Sequence, residues 1–193
     1  GYPLLPLPLL EEFHIDLGFP LHGETRNTCM AARPLQPANA NAHNNLGVGL
    51  ERTGRQEEAI EHYRRTVELM PDAAEAFLNL GALLVQRGRL DEAERTLRKV
   101  LQLDPHAGVA HLWLARTLRA RRDWPQALHH YELSVRLAAE PPECERELAA
   151  ALFDAGRPVE AIAHYRQVLA RRPNDASALT ELASVLATAH APL

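Results

Sequence analysis

Histidine is the residue type of this chain best suited to metal or acid–base chemistry, and the chain contains ten of them. Three of them directly precede a tyrosine and recur at one fixed spacing or its double: His62, His130 and His164. This recurrence favours a repeated role in the scaffold over a set of metal ligands. The adjacent His129 and His130 point in different directions on a helix, so both cannot face one ion. The histidines therefore predict no metal site.

The sequence also lacks the short motifs that indicate catalysis. Cys29 and Cys144 lie far apart without a C-x-x-C spacing, which indicates neither a zinc site nor a disulfide framework. G-x-S-x-G, H-E-x-x-H, G-x-x-x-x-G-K-[ST] and G-x-G-x-x-G do not occur, so no nucleophile elbow, zincin site, P-loop or dinucleotide fingerprint is indicated. We predict that the chain uses no cofactor and is not an enzyme.

One fixed period, the interval from Leu46 to Leu80, organises most of the sequence. A constant period of about 34 residues means stacked copies of one supersecondary unit. Such an array buries its core between neighbouring units and leaves long surfaces free for binding, so the sequence favours a protein that acts by holding a partner. Leucine and alanine both keep the period, at Leu46, Leu80, Leu114, Leu148 and Leu182 and at Ala59, Ala93, Ala127 and Ala161.

Each unit has the pattern of two helices joined by a turn. Counting positions from Ala40 and restarting the count with each new period, apolar residues fall at helical spacing in two stretches. Three units carry glycine at position 15, where a helix must stop and the chain reverse, and three carry a proline after the second stretch. Small residues at positions 8 and 20 let the helices approach, while the residue at position 24 fills the space beyond. We predict eight helices from about Ala40 to Arg171 and a ninth from about Ala176 to Ala189.

The repeated pattern is L-G-x-x-(L/Y), then A-x-x-x-(F/Y), then P, and in this respect the chain resembles the tetratricopeptide repeat (TPR) family. The resemblance covers roughly Pro37 to His190. It implies an all-α fold, a right-handed TPR superhelix (α-solenoid) of four helix-turn-helix repeats plus a C-terminal capping helix. The TPR domain would span 37–193, with repeats at about 40–73, 74–107, 108–141 and 142–175 and the capping helix at about 176–189.

Two parts of the repeat region depart from this pattern. The third repeat has Arg122 in place of glycine and Ala139 in place of proline, so we expect its turns to be less sharply defined. The ninth helix, which carries Leu179, Leu182 and Leu186, matches only the first half of a repeat. We expect it to cover the last hairpin, because a terminal repeat cannot leave its apolar face in water. The alternative is a chain cut from a longer array.

Residues 1–36 form a different, Pro/Leu-rich kind of sequence. Residues 1–10 are apolar and interrupted by proline, which disfavours helix and central strand, whereas residues 11–21 show strand-like alternation. A signal peptide needs a basic start and an uninterrupted apolar stretch, and neither is present. Three interpretations stay open. The segment is an irregular arm packed across the first hairpin, an extended ligand in its own or a neighbour's groove, or disorder or a cloning remnant with Met30 as the natural start.

In TPR proteins the first helices line a concave groove, mainly through positions 2, 5, 6, 9, 12 and 13. The superhelical repeats of O-linked GlcNAc transferases, which this groove partly resembles, carry at position 6 a ladder of asparagines that grips a peptide backbone, since an amide both donates and accepts. Here the ladder stops after Asn45 and Asn79, and the catalytic region of those enzymes is missing. Carried onto this sequence, the resemblance implies a peptide-binding groove of Asn41, Asn44, Asn45, Leu78, Asn79, Leu112, Trp113, Arg116, Arg119 and Arg146.

Charge in this groove can be interpreted in two ways. Chaperone-binding TPR domains hold a C-terminal aspartate in a clamp of which only Asn79 has a match here, so acidic chaperone tails are not expected ligands. Three arginines beside Trp113 (Arg116, Arg119 and Arg146) could instead hold an acidic or aromatic peptide, or could be an ordinary solvated face. Trp113 is the better anchor, because an exposed tryptophan is a common hot spot, unless it is buried against the next hairpin.

Composition narrows the class of partner. A formal net charge of −4 argues against a general binder of nucleic acid or anionic membranes, and no apolar run is long enough to span a bilayer. We expect a protein or peptide partner, no nucleic acid, no membrane insertion and a cytoplasmic location. Of the 21 basic residues only Lys99 is a lysine, which suggests a GC-rich, bacterial genome.

The function that these patterns predict is a non-catalytic interaction module that binds an extended peptide or protein segment in the concave groove. Two alternatives remain at this stage. The chain is the targeting or substrate-recognition region of a larger enzyme such as a glycosyltransferase, or it is a scaffold that self-associates through residues 1–36.

Overall fold

The computed structural model describes residues 39–137 and 141–189, and all regular structure in these ranges is α-helical. Predicted and observed helices agree, and the interpretations of residues 1–36 lie outside the described ranges. No helix of the described residues is long and apolar enough to cross a membrane. The helices are α1 (Ala40–Arg52), α2 (Gln56–Leu69), α3 (Ala74–Gln86), α4 (Leu90–Leu103), α5 (Gly108–Ala120), α6 (Trp124–Leu137), α7 (Pro141–Asp154), α8 (Pro158–Arg171) and α9 (Ala176–Ala189).

Successive helices pack as a continuous stack. The first and second helix of each repeat form a hairpin, and each second helix also packs against the first helix of the next repeat. First helices of neighbouring repeats meet directly as well, α3 with α5 and α7 with α9. The core follows the predicted register, because positions 20 and 24 are buried in every repeat: Ala59, Ala93, Ala127 and Ala161, and Tyr63, Leu97, Tyr131 and Tyr165.

Position 8 shows how closely the two helices of a hairpin approach. A Cβ atom added at Gly47 would lie 2.6 Å from Cε1 of Tyr63, and one added at Gly81 would lie 2.7 Å from Cδ2 of Leu97. Real carbon atoms do not approach so closely, so an alanine at either place would force the facing side chain to shift. The third and fourth repeats accommodate alanine there, since Ala115 and Ala149 occupy the same position fully buried.

The first turn of the third repeat, at Arg122, corrects the expectation drawn from its sequence, whereas the second, at Ala139, lies outside the described residues. Arg122 adopts a φ of 61°, the left-handed conformation that Gly54, Gly88 and Gly156 adopt at the same position. Its backbone N–H donates to the carbonyl of Arg119 at 2.9 Å, which repeats the bond that Gly88 makes to Val85 at 3.0 Å. The turn is therefore as sharply defined as the others. An arginine holds a conformation that favours glycine, and this strains the backbone.

The two ends of the stack differ from its interior. Leu46 on α1 is 37% exposed, whereas its equivalents Leu80, Leu114 and Leu148 are buried beneath the preceding second helix. At the other end α9 packs on α8 and α7 and buries Ala178 and Val185.

Candidate peptide-binding face

The predicted groove residues lie on α1, α3, α5 and α7, and we call this set the first-helix face. It consists of the ten residues from Asn41 to Arg146 named above. Several of them meet across repeat boundaries. Asn79 Nδ2 donates to Asn44 Oδ1 at 3.3 Å, and Leu78 and Trp113 pack on the same buried cluster. Side chains of neighbouring repeats therefore meet on this face.

The N-terminal part of the face, which we call the amide half, presents four asparagines. Asn41 and Asn45 are exposed, and Asn44 and Asn79 are half-buried. The bond between Asn44 and Asn79 uses one acceptor and one donor, so each of these two amides keeps further hydrogen-bonding capacity. Amide groups in this setting can serve both the N–H and the C=O of an extended main chain.

The centre of the face is apolar. Trp113 is half-buried against a cluster that contains Leu97, Leu114 and Leu118, while Leu112 packs on the C-terminal core. The Arg116 guanidinium lies over the indole ring of Trp113, 4.4 Å from its centroid. Trp113 is thus neither fully exposed nor fully buried, and its ring is stacked with a cation of its own chain.

The C-terminal part of the face, which we call the ion-paired half, joins each predicted arginine to a carboxylate of the next repeat. Arg116 Nε donates to Glu147 at 2.8 Å and Arg119 Nε to Asp154 at 2.8 Å. Arg146 donates to Glu181 at 2.7 Å. An acidic ligand at these three arginines would have to compete with carboxylates already in place. The structure thus neutralises the charge that the sequence offers at this end.

A cavity of about 540 Å³ opens beside the ion-paired half, between α5, α6 and α7. Its walls carry three guanidinium groups, one carboxylate, an indole and a phenol, from Arg116, Arg119, Arg122, Asp154, Trp124 and Tyr131. Tyr131 is fully buried, and its O–H has no acceptor among the described residues. A buried donor without an acceptor destabilises a fold by about 1–3 kcal/mol, so this hydroxyl stands out.

Repeat register explains why Tyr131 lacks an acceptor. In the first repeat the equivalent Tyr63 donates its O–H to Glu51 at 3.0 Å. The residue that corresponds to Glu51 in the third repeat is Arg119, and a guanidinium group has donors only. Burial raises the pKa of Tyr131 to about 12, with Glu147 adding to the shift and the Arg119 charge opposing it. The hydroxyl therefore remains a protonated donor at neutral pH.

The histidines at position 23 have partners that the sequence reasoning missed. His62 and His130 stack on His43 and His111, with Nδ1–Nδ1 distances of 2.8 and 2.9 Å. In the fourth repeat, the corresponding partner of the histidine is a carboxylate. The sequence did contain a signal for this contact, because the first and third repeats carry histidine at both position 4 and position 23. The scaffold role predicted for these histidines is thus a contact between the two helices of a hairpin.

The comparisons with known proteins agree with this architecture. Models described as Tetratricopeptide repeat match residues 39–106, 78–143 and 142–185. Among curated protein sequences, none matches this chain.

Similar solved structures include MamA from Desulfovibrio magneticus RS-1, with 18% identity over 72% of this chain and 79% of that chain and a TM-score of 0.67. The structure of Pseudomonas aeruginosa PilF has 20% identity, covering 77% of this chain and 68% of that chain, and a TM-score of 0.69. YrrB, described as a TPR protein with an unusual peptide-binding site, has 22% identity over 79% of each chain and a TM-score of 0.66.

Fold and register together define an α-solenoid made of helix-turn-helix repeats. The chain belongs to the tetratricopeptide repeat family, whose models between them match residues 39–185. Repeats of this family are generally non-catalytic modules for protein–protein interaction, and the fold supports that general role here.

Proposed function

We propose that this chain is a non-catalytic module that binds an extended peptide or protein segment across the first-helix face. The observation that carries the proposal is the amide half. Asn41 and Asn45 are exposed, and Asn44 and Asn79 retain free donors and acceptors. An extended main chain has N–H and C=O groups that need partners of both kinds, and an asparagine amide supplies both.

The apolar centre supports the same proposal. Leu78, Leu112 and Trp113 are half-buried, so each keeps some surface in water beside the amides. A bound segment held through its backbone by the asparagines would bring a side chain onto this patch. In peptide recognition, hydrogen bonds to the backbone usually supply affinity, and contacts with the ligand's side chains supply specificity.

Two further points favour a peptide over a charged polymer. The ion-paired half neutralises its own arginines, which leaves no row of unpaired cations along the described part of the face. The similar structure YrrB is described as having an unusual peptide-binding site, so a stack of this kind accommodates peptide binding in at least that protein.

A selection experiment with a defined pool tests the proposal. Synthetic decapeptides of random sequence, blocked at both ends and free of Asp and Glu, are passed over the immobilised full chain, and the retained peptides are quantified by mass spectrometry. The groove variant is Asn45→Ala combined with Asn79→Ala. Its matched control is Gln102→Ala combined with Gln167→Ala, which removes two exposed amides from the second helices α4 and α8.

We expect the unmodified chain and the control to retain the same peptides and the groove variant to retain about tenfold less, which corresponds to about 1.4 kcal/mol. Equal retention by the groove variant and the control would contradict the proposal. So would the absence of any retained peptide on the unmodified chain.

A further inference from the structure

We infer that the cavity between α5, α6 and α7 is a carboxylate-binding subsite, in which the Tyr131 hydroxyl and the Arg122 guanidinium receive one carboxylate of a bound peptide. This inference rests on the proposed function, because the cavity borders the first-helix face through Arg116 and Arg119. It adds a ligand chemistry that the asparagines do not specify.

The buried hydroxyl supplies the first argument. Tyr131 lines the cavity, is fully buried and finds no acceptor among the described residues. Arg119 stands where the first repeat has the acceptor Glu51, but it can only donate and is engaged with Asp154. A ligand acceptor that enters the cavity would satisfy the hydroxyl. A carboxylate oxygen is a strong acceptor for a phenolic O–H.

The balance of charge supplies the second argument. Two of the three guanidinium groups that line the cavity are matched by carboxylates, Arg116 by Glu147 and Arg119 by Asp154. The third belongs to Arg122, whose exposed side chain has no ion pair or hydrogen bond among the described residues. One positive charge is thus in excess, which suits a ligand group with a single negative charge.

Both Tyr131 and Arg122 are unfavourable choices if only folding is considered. The other three repeats place glycine where Arg122 holds a φ of 61°. The first repeat gives its equivalent tyrosine an acceptor, and the third does not. Strained backbone and unsatisfied polar groups cluster at functional sites, and here the two meet in one cavity. The cavity volume of about 540 Å³ also lies within the usual range of ligand sites, roughly 300–1,000 Å³.

Four decapeptide pools distinguish the possible sources of the carboxylate. The first is the acid-free, end-blocked pool already described. The second has the same composition with a free C-terminus, and the third is end-blocked but contains Asp and Glu. The fourth is end-blocked and acid-free but contains phosphoserine. Each is passed over the full chain and over Tyr131→Phe and Arg122→Gly, with Tyr63→Phe and Arg95→Ala as matched controls.

We expect the second or the third pool to be retained at least about fivefold better than the first, and the one that gains identifies a terminal or a side-chain carboxylate. Tyr131→Phe and Arg122→Gly should each abolish that gain, while Tyr63→Phe and Arg95→Ala preserve it. Neither cavity variant should be less stable to urea than the unmodified chain, because one removes an unsatisfied donor and the other relieves strain. Loss of binding without loss of stability separates a ligand contact from a folding defect.

Failure of this inference is distinguishable from failure of the proposed function. If all pools are retained equally and the asparagine variant still loses them, the peptide face stands and the carboxylate subsite is wrong. A gain that survives Tyr131→Phe would also overturn the subsite, as would a gain confined to the phosphoserine pool. If no pool is retained at all, the proposed function fails and the subsite fails with it.

Discussion

The amide half and the ion-paired half of the first-helix face occupy the same register but use it differently. Position 6 holds Asn79 in one half, where it makes a single 3.3 Å hydrogen bond to its neighbour. In the other half position 6 holds Glu147, which pairs with Arg116. One half thus keeps its polar groups available, and the other uses them to connect successive repeats. A repeat can therefore serve recognition or internal cohesion without any change of backbone.

Packing beneath the amide half should show the largest effect. Gly47→Ala should lower the free energy of unfolding by about 2 kcal/mol, because the new Cβ would lie 2.6 Å from the Tyr63 ring, which is held by its bond to Glu51. The measurement is a urea unfolding curve. Gly49→Ala is the matched control, since a Cβ there meets nothing within 4 Å and alanine favours helix by about 0.5–1 kcal/mol. Equal stability of the two variants would contradict this account of position 8.

The next effect compares one polar contact from each half. Glu147→Gln should destabilise the chain by about 1.5 kcal/mol, because it leaves the half-buried Arg116 without its charged partner. Asn44→Ala should have an effect of less than about 0.5 kcal/mol, since the bond that it removes is long and half-exposed. Chemical denaturation measures both. A larger loss for Asn44→Ala than for Glu147→Gln would reverse the roles assigned to the two halves.

The third effect is a pH dependence from the two stacked histidine pairs, His43–His62 in the first repeat and His111–His130 in the third. Burial, then His111, His129 and Arg98, lower the pKa of His130 to about 4. Burial also lowers the pKa of His111 and of His43. The unfolded chain, with histidine pKa values near 6.5, therefore binds more protons than the folded one. Stability is full above about pH 6.5 and falls as the pH drops towards 4.

We expect a loss of about 1–2 kcal/mol between pH 7 and pH 5 from the pair His111–His130. The test is urea denaturation at both pH values for the combination His111→Phe and His130→Thr, which copies the residues that the second repeat has at positions 4 and 23. This variant should lose the contribution of this pair, whereas His129→Gln, at an exposed position, should keep most of it because His129 is a smaller cause of the shift than burial and His111. An unchanged slope in the double variant would show that the pair does not control it.

The smallest effect concerns the turn beside the cavity. Arg122→Gly should raise the free energy of unfolding by about 0.5–1 kcal/mol, because glycine adopts the positive φ without strain. The reverse change in the second repeat, Gly88→Arg, should lower it by a similar amount. Differential scanning calorimetry of both variants measures the two changes in stability. A destabilised Arg122→Gly would mean that this arginine stabilises the fold through contacts that outweigh its backbone strain.

The fold was predictable because each helix boundary has a local cause that recurs from one repeat to the next. Position 15 glycines mark the turns, and the alanines at position 20 mark the buried side of each second helix. The expectation for Arg122 was wrong because the preference for glycine at position 15 concerns the residue type. It does not say which backbone conformation the surrounding helices impose.

The candidate site was only partly predictable. The family register located Asn45, Asn79 and Trp113 on one face. It could not show that Arg116 and Arg119 are neutralised, because their carboxylates lie 31 and 35 residues further along the chain. The unsatisfied hydroxyl of Tyr131 depends on positions 12 and 24 of one repeat. Only comparison with the first repeat, where position 12 is the acceptor Glu51, shows that the third repeat lacks an acceptor there.

The most direct test of the peptide face is an NMR titration of the side-chain amide groups with one acid-free decapeptide retained by the unmodified chain. We expect the NH₂ resonances of Asn45 and Asn79 to shift in proportion to the bound fraction, while those of Gln102 and Gln167 on the second helices do not. Shifts confined to Gln102 and Gln167 would contradict it and place the peptide on the opposite side of the repeats.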